Sequence, residues 1–166
     1  MRIGITAVQG AFAEHEQVLE KLNIDYVELR KAEDLNTPID GLILPGGEST
    51  VQGKLLKELD MFGALQKQIR DGLPVLATCA GLILLAHDLA AHDDKGTPRL
   101  ATMDVLVERN AYGRQLGSFS AEAAFDGIGT IPMTFIRAPY ISGISGTLAK
   151  NIVAYREENG KFASRS

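Results

Sequence analysis

The sequence predicts an α/β fold of three layers: a mainly parallel sheet with helices on both faces, and an antiparallel extension in the second half. Three observations carry this prediction. Apolar runs of strand length alternate with amphipathic helical stretches through the first half of the chain. The first of those runs is short and β-branched, as in a buried strand. After about residue 100 the helical stretches give way to strand-like runs separated by Gly, Pro and Asn. Strand–helix–strand alternation implies right-handed crossovers and parallel pairing.

The elements follow in order. "RIGITAV" is a short β-branched run that ends at Gln9-Gly10 and reads as a buried strand. "AFAEHEQVLEKL" places Phe12, Leu19 and Leu22 on one helical face and charges on the other. "DYVELR" is a second strand and "DGLILPGG" a third, stopped by Pro45-Gly46-Gly47. "TVQGKLLKELDMFGALQKQIR" has a helical pattern, with Gly53 and Gly63 as candidate breaks. "LPVLATC" is a fourth strand, and "GLILLAHDLA" reads as the helix after it. In the second half "MDVLVERNAYG", "SFSAEAAF", "MTFIRAPYI" and "NIVAYREENGKFAS" are strand-like, and Asn159-Gly160 is a type I′ hairpin signal. These runs extend the sheet antiparallel or build a smaller one. No repeat or linker divides residues 1–166, so a single domain is expected.

The bulk composition excludes several function classes. The chain has 166 residues, 45% hydrophobic and 23% charged, in keeping with one soluble domain and a full core. Its net charge is -4, with no basic run, which argues against a nucleic-acid partner. A single cysteine forms no internal disulfide, so a reducing, cytoplasmic setting is expected. No signal-peptide pattern opens the sequence and no apolar run is long enough to cross a membrane. No metal or cofactor is expected.

That one cysteine lies in "PVLATCAGLILLA", where the fourth strand must turn into the next helix. Ligands of open α/β sheets bind beyond the carboxyl ends of the strands. A nucleophile at a strand-to-helix elbow needs small neighbours for its tight turn, and Ala77, Thr78, Ala80 and Gly81 are all small. A following helix N-terminus favours a thiolate. On pattern alone a second reading stands beside this one, in which Cys79 is a small core hydrophobe. "LILPGGES" ends the neighbouring strand. Its paired glycines allow close backbone approach, and the N–H groups of Gly46, Gly47 and Ala80 then suit an oxyanion. The plainer reading of Pro-Gly-Gly is a turn that leads into a helix capped by Ser49 or Thr50.

Together "PGGES" and "TCAG" resemble the oxyanion strand and nucleophile elbow of the class I (triad) glutamine amidotransferases. That family usually has Gly two residues before the cysteine, where this chain has Ala77. "VQGAFAEH", "DGLILPGGEST", "ATCAGLILLA", "VERNAYGRQ" and "FIRAP", in order along essentially the whole chain, resemble the glutaminase subunits of pyridoxal 5′-phosphate synthase. The resemblance implies hydrolysis of L-glutamine to glutamate and ammonia through a thioester. The ammonia would pass to a separate synthase subunit that builds pyridoxal 5′-phosphate from a pentose phosphate and a triose phosphate. It further implies that Cys79 is the nucleophile, and that Gly47, Glu48, Ser49, Arg109, Ile136 and Arg137 line the glutamine site. Glu48 suits the α-ammonium and the arginines the α-carboxylate. A structural pairing of Arg109 with Glu108 is the plainer alternative. The first helix and the loops near Gln9 and Arg114 are expected to face the synthase subunit.

Thiol attack on an amide needs a base for the thiol and an acid for the leaving ammonia. The chain holds His15, His87 and His92. His15 is expected on a solvated helix face, and His92 in the polar loop "HDDKGTPR". His87 is expected eight residues along the helix after Cys79, roughly 12 Å away by the helical rise. None is a convincing partner. The resemblance implies a His-Pro-Glu-Leu segment after the strand with which "GKFASRS" aligns, so the base is expected beyond Ser166. Two other readings compete: an amidotransferase-like domain that binds a ligand or partner without hydrolysis, and a different hydrolase built on a cysteine elbow.

Overall fold

The computed structural model describes residues 1–90, 96–109, 119–125, 128–135 and 139–144. Its centre is a four-stranded parallel sheet in the order β2-β1-β3-β4. The strands are β1 (Arg2–Thr6), β2 (Asp25–Leu29), β3 (Gly41–Leu44) and β4 (Val75–Ala77). In register, Ile5 lies beside Ile43, and Leu44 beside Ala77. All four residues of β3 are buried, as expected of a central strand covered on both faces.

Alternation along β3 divides the core. Leu42 and Leu44 face a cluster with Leu56, Met61, Leu65, Leu84 and Leu85. These belong to, or adjoin, the helices α2 (Ser49–Glu58), α3 (Phe62–Arg70) and α4 (Ala80–Leu85). Ile43 faces the other way, toward Ile5 and Leu19, with Phe12, Ile24 and Tyr26 around them. Leu19 comes from α1 (Phe12–Lys21), so α1 covers this second face. Fully burying a side chain of this size stabilises the fold by about 1.5–3 kcal/mol. The predicted layers, helices on both faces of a mainly parallel sheet, are the observed ones.

The long helical run is two helices, and it breaks at neither glycine. Leu59 caps α2, and Asp60 follows with φ of +54°. The N–H of Asp60 donates to the Lys57 carbonyl and that of Met61 to the Leu56 carbonyl. This pairing satisfies the last carbonyls of the helix, and burial of Met61 against Leu56 supports it. Gly53 stays inside α2 because the backbone of Pro98 packs against it: a Cβ there would lie 2.4 Å from the Pro98 carbonyl oxygen. Gly63 stands in open space in the first turn of α3.

The helix expected over "GLILLAHDLA" ends early. α4 stops at Leu85, and Ala86–Leu89 form strand β5. The carbonyls of Leu84 and Leu85 accept from the N–H groups of Leu100 and Thr102, at 2.7 and 3.0 Å, instead of from the next helical turn. β5 pairs in parallel with β6 (Met103–Glu108), burying Ala86 and Leu89 against Val105 and Val107. Tertiary pairing therefore overrides the local helical pattern. His87 lies on this strand, not on a helix.

The second half forms two smaller sheets. β9 (Tyr140–Ile144) adds antiparallel to β6, giving the order β5-β6-β9. β7 (Phe119–Phe125) and β8 (Gly129–Phe135) make an antiparallel pair. The run "MTFIRAPYI" therefore spans the end of one strand and the start of another. The run from Asn151 and the Asn159-Gly160 turn lie outside the described residues. Among the described residues, no helix is long and apolar enough to cross a membrane.

Candidate active site

Parallel pairing brings the ends of β1, β3 and β4 to one edge of the sheet. At the end of β4 the chain reverses within two residues. Thr78 N–H still donates to the Leu44 carbonyl at 3.1 Å, continuing the sheet, while Gly81 N–H donates back to the Thr78 carbonyl at 2.8 Å. Between them Cys79 has φ of +46° and ψ of -100°. A side chain with a Cβ adopts this left-handed backbone only under strain of about 1–3 kcal/mol. The surroundings hold it there. Ala80 is completely buried, and a Cβ on Gly81 would lie 2.2 Å from the Leu44 carbonyl oxygen, so α4 sits directly on β3. The result is an exposed thiol on a rigid elbow.

The loop after β3 lies against this elbow. A Cβ placed on Gly46 would be 3.6 Å from the Cys79 Cβ. The Gly46 carbonyl accepts from Ala11 N–H at 2.9 Å. Gln9, in the loop after β1, accepts from Glu48 N–H at 3.0 Å through its side-chain oxygen. Gly10 has φ of +104°, and a Cβ there would lie 2.0 Å from the Gly46 oxygen. Both the conformation and the close approach require glycine. Gln52, on the first turn of α2, reaches back beneath both loops to the Gln9 and Pro45 carbonyls.

Glu48 and Arg109 are brought together from distant parts of the chain. Glu48 is the N-cap of α2: its Oε2 accepts from Val51 N–H at 2.7 Å. Its Oε1 accepts from Arg109 Nη2 at 3.0 Å, and the same nitrogen lies 3.4 Å from Thr50 Oγ1. Burial alone would raise the Glu48 pKa. Hydrogen bonds from Val51 and Thr50, and then the charge of Arg109, outweigh it and hold the carboxyl below its ordinary value. Arg109 thus pairs with Glu48 on α2, across from the strand β6 that it follows. Ser49 is 2% exposed, and its Oγ is buried without a hydrogen-bond partner.

His15 departs from the sequence expectation. It is half-buried, and its Nε2 lies 3.5 Å from Thr78 Oγ1, at the first residue of the elbow. Burial lowers its pKa, against a smaller upward pull from Glu14. His87 is exposed and pairs with Asp88 at 3.0 Å. Ile136, Arg137, His92 and Arg114 lie outside the described residues. Gln52 and His15 were not legible as site residues, because each sits in a helical stretch with the composition of a solvated face. Only the placement of α1 and α2 over the strand ends brings them in.

An open α/β sheet, a cysteine on a strained strand-to-helix turn and a glycine loop on the adjacent strand define a protein of the nucleophile-elbow class. The chain belongs to the SNO glutamine amidotransferase family, whose model matches residues 5–164. It is 59% identical over 144 residues to the pyridoxal 5′-phosphate synthase subunit PdxT of Desulfitobacterium hafniense (strain DSM 10664 / DCB-2), covering 87% of this chain and 71% of that protein. It is 52% identical over 168 residues to the protein of the same name from Haemophilus influenzae (strain PittGG), covering 96% and 86%. A solved glutamine amidotransferase structure superimposes with a TM-score of 0.79 at 39% identity, covering 87% of this chain and 75% of that one.

Proposed function

We propose that the chain is a glutaminase that hydrolyses L-glutamine to L-glutamate and ammonia and delivers the ammonia to a separate pyridoxal 5′-phosphate synthase subunit. The observation that carries the chemistry is the left-handed Cys79 with its exposed thiol, set against the Gly46-Gly47 loop. The thiolate sulfur attacks the side-chain amide carbon of glutamine. The carbonyl π electrons move to oxygen, and backbone N–H groups of Gly46, Gly47 and Ala80 stabilise the oxyanion. Collapse of this intermediate breaks the carbon–nitrogen bond, and the nitrogen leaves as ammonia after receiving a proton. Water then cleaves the thioester, giving glutamate and the free thiol.

Gly47, Glu48, Ser49, Arg109, Ile136 and Arg137 line the glutamine site in this reading. Glu48 already spends one oxygen on the helix cap and the other on Arg109. Its first role is therefore to hold Arg109 at the site, and its remaining lone pairs face the substrate ammonium. The synthase subunit as partner is supported by the two relatives named as subunits of that enzyme. A reducing cytoplasmic location fits a lone exposed thiol.

Cys79→Ser tests the reading. With the synthase subunit present, the variant should release no measurable ammonia while still binding glutamine, because the hydroxyl is nearly isosteric but far less nucleophilic at neutral pH. Near-normal turnover in the serine variant would show that Cys79 is not the nucleophile.

A further inference from the structure

The side chain of Gln52 has no part in the chemistry above, yet it is 3% exposed and lies under the site. Its Nε2 donates to two backbone carbonyls, Gln9 at 2.9 Å and Pro45 at 3.2 Å. These carbonyls belong to different loops, one after β1 and one after β3. A Cβ on Gly47 would lie 2.8 Å from that nitrogen, and one on Gly10 would lie 2.9 Å from it. The amide is therefore wedged between the two glycine turns. Its own backbone is fixed as well, since Gln52 N–H donates to the Glu48 carbonyl at 2.9 Å in the first turn of α2.

We infer that Gln52 is a positioning residue that locks the loop after β1 to the Pro45-Gly46-Gly47 loop and thereby sets the Gly46–Gly47 peptide against Cys79. The loops meet at three further points. The Gly46 carbonyl accepts from Ala11 N–H, the Gln9 side chain accepts from Glu48 N–H, and Gly10 lies against the Gly46 oxygen. Because the peptide unit is planar and trans, fixing the Gly46 oxygen toward Ala11 fixes the Gly47 N–H in the opposite direction. The carboxamide joins the two loops from below, and both its amide hydrogens are used. Its Oε1 is buried without a partner. With that oxygen unbonded, the polar contribution of the side chain lies in the two bonds that its nitrogen makes. This inference rests on the reading of the glycine loop as the oxyanion site.

The test uses the full-length protein with its synthase subunit and three variants. Gln52→Met keeps the length and removes both donors. Gln52→Glu keeps the shape and turns an acceptor oxygen toward the two carbonyls. Cys79→Ser is the control for the site itself. Each is assayed for glutaminase kcat and KM, for thermal midpoint, and for the rate of Cys79 alkylation by iodoacetamide, a reaction that forms no oxyanion. The expected result is a kcat lowered about 10- to 100-fold in Gln52→Met and further in Gln52→Glu, within the range of losing an oxyanion donor. KM should stay within about threefold and the alkylation rate within about twofold. Kinetics like wild type in both Gln52 variants would overturn the inference. So would a change confined to KM, or a fall in kcat matched by an equal fall in alkylation. Should Cys79→Ser remain active, the site reading itself fails, whatever Gln52 does.

Discussion

Gly10 offers a quantitative test of how tightly the two loops meet. Its φ of +104° is nearly the same as the +103° of Gly72, and the two differ in surroundings. Gly72 ends α3 with nothing within 4 Å of the place a Cβ would take, whereas a Cβ on Gly10 would lie 2.0 Å from the Gly46 carbonyl oxygen and 3.1 Å from its carbon. Alanine at Gly72 therefore reports the backbone strain alone, about 1–2 kcal/mol. Alanine at Gly10 adds a collision with backbone, which cannot rotate away, and forced shifts of this kind cost about a further 1–3 kcal/mol. The shift moves the Gly46–Gly47 peptide, so kcat should fall roughly a hundredfold. Gly63→Ala, in open helical space, completes the series and should stabilise by up to about 1 kcal/mol. Urea midpoints at unchanged m-value give the stabilities, and ammonia release with the synthase subunit gives kcat. If Gly10→Ala costs no more than Gly72→Ala and turns over normally, the close approach of the loops is wrong.

Two further outcomes follow from the same geometry. Gly81→Ala places a methyl group 2.2 Å from the Leu44 oxygen, so it should destabilise by about 1–3 kcal/mol and slow Cys79 alkylation as the elbow is pushed off β3, both measured on the same sample. Glu48 has a folded-state pKa below its unfolded value, so its stabilisation is fully present above about pH 4.3 and is lost as pH falls through the lower folded value. Unfolding curves between pH 6 and 3 should show a smaller loss for Glu48→Gln than for wild type, and parallel curves would refute the lowered Glu48 carboxyl, held down first by the Val51 and Thr50 hydrogen bonds and then by Arg109.

Much of the scaffold was legible because its cause is local. The short apolar and β-branched runs read as strands, and the spacing of Phe12, Leu19 and Leu22 with charges between them read as an amphipathic helix. The glycines of "PGGES" and the small residues around Cys79 pointed to a tight turn at each strand end, and parallel pairing placed those turns at one edge. Local pattern failed where a distant segment supplied the decisive hydrogen bonds. "GLILLAHDLA" looks helical throughout, yet the N–H groups of Leu100 and Thr102 take the carbonyls that the helix would need for its next turn. The break at Asp60 was invisible because an aspartate there adopts the left-handed conformation only when Met61 has a core to enter.

The same division runs through the site. A sequence by itself determined that one thiol would stand at a strand-to-helix junction beside a glycine loop, since residue size and chain order are local properties. Tertiary structure alone decided which side chains serve that junction. Arg109 reaches Glu48 across 61 positions of sequence, Gln52 reaches Gln9 across 43, and His15 reaches Thr78 across 63. Such pairings leave no periodicity or spacing to read. They exist because α1 and α2, packed on the two faces of the parallel sheet, start at the carboxyl ends of its strands, where Arg109 also arrives after β6.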